Sequence, residues 1–184
     1  MPIRTILIDG YNVIRNTPGL LAAERVSLAH GRDVLLAQVR ATYRHTPHRV
    51  TVVFDGDGTA ETRAALRGVA YGAVVFSSRA LTADAVIARL AEEASARGEE
   101  VVIASDDLEV RHHAFTAGGH AATVDELASR LSRAPRHIER AGRHRARVRA
   151  QMERETTPED EAARRKGNPR RAPRQRGNGG KPPL

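Results

Sequence analysis

Thr5-Ile6-Leu7-Ile8-Asp9-Gly10-Tyr11-Asn12-Val13-Ile14 decides how the rest of the chain is read. Three consecutive aliphatic residues end in an aspartate, then a glycine, and soon an asparagine. A short, wholly apolar run closed by a turn signal reads as a strand buried on both faces, the kind found in parallel sheets. Asp9 then stands where the strand leaves the core, at the edge where open α/β sheets hold their ligands.

Later runs repeat that form. Val50-Thr51-Val52-Val53-Phe54 ends in Asp55, which opens a tight turn, Asp55-Gly56-Asp57-Gly58. Ala73-Val74-Val75-Phe76 is a third strand. Val101-Val102-Ile103-Ala104 is a fourth, ending in Ser105-Asp106-Asp107, and residues 121–124 make a short fifth.

Helical spacing fills the intervals. A loop is expected over Asn16 to Gly19, and a helix over residues 26–43 with Gly31 as a weak point. Residues 59–67 read as helix or loop. Thr82 is placed to N-cap a helix whose apolar face is Ala83, Val86, Ile87, Leu90, Ala91 and Ala94, with Gly98 as its stop. A helix over 108–117 ends at Gly118-Gly119, and a last one runs from Asp125 to Leu131. Strands alternating with helices predict an α/β domain, its central, mostly parallel sheet covered on both faces. Right-handed crossovers bring every strand-to-helix turn to one edge. The order of the strands is not legible in the pattern.

That shared edge gives the carboxylates their interest. Asp9, Asp55 and Asp106 each follow an apolar strand, and Asp84 lies in the first turn of the helix after the third strand. All four should converge, with Asn12 beside Asp9. Carboxylates gathered at one site repel one another unless a cation is present. Mg²⁺ or Mn²⁺, hard ions that prefer oxygen ligands, would resolve the repulsion. Such ions activate water and stabilise a leaving oxygen in phosphodiester hydrolysis. Taken singly, each aspartate is equally at home as a turn or helix-cap residue. Asp57 and Asp107 are read that way.

Charge is unevenly divided. Residues 1–132 hold 14 arginines and no lysine against 16 acids, whereas residues 133–184 hold 16 basic residues against 6 acids. A near-neutral domain thus carries a basic extension, an asymmetry that points to a polyanion such as RNA. Residues 133–155 read as a basic helical extension opened near Pro135. Residues 156–184, dominated by Pro, Gly, Arg and Asn, read as a disordered tail. Arg143, Arg145, Arg147, Arg149, Arg164, Arg165, Lys166, Arg170 and Arg171 are the candidate phosphate contacts.

Other chemistries find little support. There is no cysteine for disulfides or thiolate metal sites. No signal-peptide pattern opens the chain, and no run approaches the ~18 apolar residues of a membrane span, so a cytoplasmic location and no membrane contact are expected. Asp55-Gly-Asp-Gly resembles a calcium loop, but Leu66 stands where its bidentate Glu belongs. No glycine-rich nucleotide loop or serine nucleophile elbow is present. His112, His113 and His120 read as helix-surface residues. Aromatics form 3% of the chain, which limits base stacking to a few residues such as Tyr11.

Four segments resemble one known family. Ile6 to Ile14 resembles the opening signature of NYN-domain proteins, specifically the YacP-like branch. Val53-Phe54-Asp55-Gly56 resembles that branch's second strand and turn. Leu81-Thr82-Ala83-Asp84-Ala85-Val86-Ile87 resembles its Thr-Ala-Asp-x-x-Ile helix start, and Ala104-Ser105-Asp106 its Ser-Asp strand end. The matches come in the family's order and cover about residues 3–130.

The resemblance implies a PIN-like three-layer fold for residues 1–132 and a metal-dependent endoribonuclease using Mg²⁺ or Mn²⁺. The family's acidic constellation maps onto Asp9, Asp84 and Asp106, with Asn12 and Asp55 in support. RNA is the implied substrate. The branch includes a ribosome-associated nuclease that cuts mRNA, so the ribosome is an implied partner. Two features depart from the family. Ala85 stands where relatives often have a second acid, and the Arg- and Gly-rich tail is no part of the pattern. A non-catalytic RNA- or ribosome-binding module on this fold is the alternative. A phosphatase is weaker, because the aspartyl-nucleophile type needs a second Asp at the position of Tyr11.

Overall fold

The computed structural model describes residues 3–133. Its centre is the opening strand, β1 (Arg4–Asp9). The chain then forms α1 (Gly10–Asn16), α2 (Pro18–Glu24), α3 (Leu28–Tyr43), β2 (Arg49–Gly58), β3 (Thr62–Ala65) and β4 (Gly72–Ser78). It continues through α4 (Ala83–Ala96), β5 (Glu100–Ala104), α5 (Leu108–Thr116), β6 (His120–Ala122) and α6 (Val124–Arg133). The six strands lie in the order β3-β4-β2-β1-β5-β6, all neighbours parallel except β3 against β4. This is the expected α/β architecture.

β1 is apolar from Ile6 to Ile8 because both of its faces are covered there. Ile6 and Ile8 point into one core with Val50, Val52 and Phe54, closed over by Val13 of α1, Leu35 and Val39 of α3 and Leu127 of α6. Leu7 points the other way with Val53, Val75 and Ile103, under Val86, Ile87 and Leu90 of α4 and Val110 of α5. The six apolar positions expected to form the inner face of α4 are all buried, and Thr82 Oγ1 accepts from Ala85 N–H as its cap. Gly98 ends the segment at φ +70°, a backbone setting that favours glycine.

Several expectations need correction. The loop expected over Asn16 to Gly19 shrinks to Thr17, because Pro18 opens α2 at a position where its missing N–H costs nothing. Gly31 does not weaken α3. It lies against the preceding helix, α2, where a Cβ would stand 3.0 Å from Glu24 Cα. Asp55-Gly56-Asp57-Gly58 is not a tight turn but an irregular continuation of β2, whose pairing with β4 shifts register between Phe54 and Gly58. Residues 59–67 contain an antiparallel edge strand, β3. All four of its residues are exposed, so no alternation of burial marks it. His120 begins β6 and is not on a helix. The expectations for 133–155 and 156–184, including every candidate tail arginine and Lys166, fall outside the described residues beyond Arg133.

At the edge opposite the strand ends, ion pairs link β1, β2 and β5. Glu99 meets Arg97 at 3.1 Å and Arg49 at 3.0 Å, and it also accepts from Thr5 Oγ1. Arg97 foremost, with Thr5 and Arg49, holds the Glu99 carboxyl below its ordinary range. A depressed carboxyl stabilises the fold above its unfolded-state pKa and loses that contribution as pH falls through the folded value. Glu99→Gln should therefore destabilise at neutral pH by about 1 kcal/mol. The gap to wild type should close in acid, as read by urea denaturation at two pH values.

Candidate functional site

The strand order places a switch point at β1. The chain moves to β2 on one side of it and later returns to β5 on the other. Ligand sites in open α/β sheets form in the crevice at such a point. Asp9 ends β1 and Ser105-Asp106-Asp107 follows β5, so the two segments flank that crevice.

Asp9 is buried at 8% exposure and is held by two bonds. Its Oδ1 accepts from Asn12 N–H at 3.2 Å, capping α1, and Oδ2 accepts from Ser105 Oγ at 3.1 Å. Burial pushes the Asp9 carboxyl up from 3.8 to about 6, against the lowering effect of these bonds, and the charges of Asp84 and Asp55 add to the rise. Asn12 does more than flank it. Its side-chain oxygen accepts from Asp106 N–H at 2.9 Å, tying the start of α1 to the end of β5.

Three other acids cap helices. Asp55 Oδ1 accepts from Ala83 N–H of α4 at 2.9 Å, and Asp106 Oδ1 from Val124 N–H of α6 at 2.9 Å. Asp107 Oδ1 accepts from Glu109 N–H of α5 at 2.8 Å, the cap role expected for it. The positive ends of α1, α4, α5 and α6 thus meet the sheet's acids, and the helix dipoles offset part of the carboxylates' repulsion.

Asp84 is different. It lies half-buried in the first turn of α4 and accepts no hydrogen bond among the described residues. Desolvation first, then the charges of Asp107, Asp55 and Glu109, raise its pKa, while His113 lowers it. The charges of Asp84 and Asp55 thus act on Asp9, and that of Asp55 acts on Asp84. Asp106 is brought to the same edge but turns one oxygen to α6. Among the described residues, no three His, Asp or Glu side chains stand close enough to hold an ion between them.

In the sequence Ser105 reads only as part of the Ser-Asp strand end, yet it links Asp9 to the β5 end. Fully buried, it donates to Asp9 and accepts from Asp107 N–H at 3.1 Å. A serine just after an apolar strand was the available signal, but its partners are 96 and 2 positions away. Tyr11 does not offer a free face to a base. Arg15 lies 5.1 Å over its ring and Phe54 packs against it at 65°.

No described helix is long and apolar enough to cross a membrane. The model of the YacP-like NYN domain matches residues 6–166. A Bacillus subtilis (strain 168) protein named "Uncharacterized protein YacP" is 29% identical over 138 residues, covering 73% of this chain and 79% of that protein. The crystal structure of a mutant of Rae1 (YacP) from Bacillus subtilis is similar at 27% identity and a TM-score of 0.61, over 78% of this chain and 84% of that one. Another Rae1 (YacP) crystal structure is similar at 26% identity and a TM-score of 0.59, over 90% and 96%. With the switch-point acids in place and the family model spanning most of its length, the chain belongs to the YacP-like NYN domain family, a family of PIN-like nucleases.

Proposed function

We propose that the protein is a metal-dependent endoribonuclease that hydrolyses RNA phosphodiester bonds at the edge formed by Asp9 and Asp84. Asp84 is the observation that carries this reading. The other acids at the edge have structural duties as caps, whereas Asp84 is half-buried, without a hydrogen-bond partner among the described residues, and raised in pKa beside further acids. Carboxyls perturbed by burial and by neighbouring charge in a crevice are candidates for chemistry.

The donor set fits a hard divalent cation. It is all carboxylate oxygen, it is partly desolvated, and its members repel one another. Asp9 and Asp84 would hold Mg²⁺ or Mn²⁺ with water filling the remaining positions, since no three carboxylates stand together among the described residues. Asp55 and Asp106 would lend their charge from the helix starts they cap. The ion when bound supplies an activated water and neutralises charge at the leaving oxygen. Ser105 and Asn12 fix the Asp9 carboxylate and the β5 end to each other. The basic segment, divided as 133–155 and 156–184, adds sequence-independent phosphate affinity and serves as the contact for RNA or a ribosome.

The test is incubation of unstructured and structured RNA with Mn²⁺ or with EDTA. Cleavage is expected with Mn²⁺ alone, and Asp84→Asn should lower its rate about 100-fold or more, the upper range for loss of a ligand's supporting partner. A second reading, a non-catalytic RNA-binding module, is favoured by Ala85 and by the commitment of Asp106 to the α6 cap. It requires intact RNA after long incubation with either metal, together with binding that weakens steeply in salt.

A further inference from the structure

Arg32 of α3 is half-buried, yet no carboxylate lies within ion-pair distance of it among the described residues. Arginines taken out of water are usually paired with an anion. This one is fixed instead by neutral groups. Its Nη1 donates to Tyr11 Oη at 2.7 Å, and its guanidinium carbon lies 5.5 Å from the Phe76 ring centroid.

Those two anchors locate it. Tyr11 is two residues beyond Asp9. Phe76 pairs in register with Phe54, the residue before Asp55, and their rings stack at 5.4 Å. Half of the chain's six Phe and Tyr residues therefore gather at this edge, where Tyr11 and Phe76 hold the Arg32 guanidinium among neutral groups. Arg32 belongs to the α3 face of the sheet and Asp84 to the α4 face, with the end of β1 between. Tyr11 uses one of the guanidinium's five N–H donors, which leaves a planar fork of the kind that suits phosphate.

We propose that Arg32 is a phosphate subsite that grips the RNA backbone next to the scissile position, with Tyr11 as its positioning residue. This deepens the nuclease reading and rests on it for the identity of the strand. An RNA crossing the edge would meet Asp9 and Asp84 with one phosphate and Arg32 with a neighbouring one. The Arg32 charge also offsets the repulsion between RNA and the acidic edge.

The experiment measures binding of a short single-stranded RNA to the full chain in EDTA, over a salt series, with melting temperature as a control. Arg32→Gln should weaken binding about 10-fold and lower the slope of log affinity against log salt by about 0.7, the loss of one phosphate contact on a single strand. Arg32→Lys should keep the slope but lose part of the affinity, since the charge remains without the fork. Tyr11→Phe should give a smaller loss than Arg32→Gln. Unchanged affinity and slope in Arg32→Gln would overturn the proposal, and so would a lowered melting temperature with RNA binding intact. Cleavage in Mn²⁺ is scored separately. RNA binding that depends on Arg32 without any cleavage would sink the nuclease reading and leave the subsite standing.

Discussion

Asp9→Asn is expected to remove RNA cleavage and, in the same molecule, to raise stability at neutral pH in EDTA. The loss should exceed the ~100-fold that removal of a ligand's supporting partner costs, because on the proposed reading a charge that would hold the ion is itself deleted. The gain follows from the Asp9 pKa. Its carboxyl stands at 3.8 ordinarily and at about 6 in the fold, where burial opposes ionisation. Between those values the folded chain keeps a proton that the unfolded chain has released. Stability contributed by Asp9 is therefore complete below about pH 4 and declines as pH rises through about 6.

Asparagine avoids that penalty and remains a good N-cap, so its side-chain oxygen can still accept from Asn12 N–H. At pH 7.5 in EDTA, Asp9→Asn should be more stable than wild type by about 1–3 kcal/mol. The difference should vanish near pH 4, as read by thermal melts at both pH values. A variant that cleaves RNA normally, or one that is less stable at pH 7.5, would contradict the account of this carboxylate. Asp9 and Glu99 lie at opposite edges of the sheet and pull stability in opposite directions with pH.

Phe54→Ala should cost about 3–5 kcal/mol, the largest stability effect foreseen for a single residue here. The ring is fully buried at the sheet edge, 5.1 Å from the Tyr11 ring and 5.4 Å from that of Phe76. Gly10 exists to make room for it: a Cβ at Gly10 would run into the Phe54 ring. Truncation leaves a cavity directly behind the first turn of α1, beneath Asp9 and Tyr11. RNA affinity should fall along with stability, because Tyr11 loses the surface that aims Arg32. Phe54→Leu refills most of the volume and should cost about 1.5 kcal/mol. Denaturant midpoints of the two variants check the order. A loss below 1 kcal/mol for Phe54→Ala would mean that the ring is not part of a packed core.

How far the chain could be read in advance depended on how many faces of an element touch the core. β1, β2, β4 and β5 are buried on both sides, so their apolar runs stand out, and α4 shows its inner face residue by residue. β3 has no buried residue and left no trace of itself. Gly10 illustrates a different limit. It reads as a turn glycine, but its φ is not positive, and what demands glycine there is an aromatic ring 44 positions away.

The sequence by itself determined the fold class and the family, and it put Asp9, Asp55 and Asp106 at or after strand ends and Asp84 at a helix start. It did so because burial on both faces and strand-to-helix turns are local properties written in adjacent residues. Only the tertiary structure decided how those acids divide their work. Asp55 and Asp106 each turn an oxygen to a helix that starts 28 and 18 residues later, Ser105 locks Asp9 from another strand, and Asp84 is left without a partner among the described residues. A carboxylate's role depends on which distant N–H groups reach it, and a hydrogen bond across the fold leaves no mark in the order of residues.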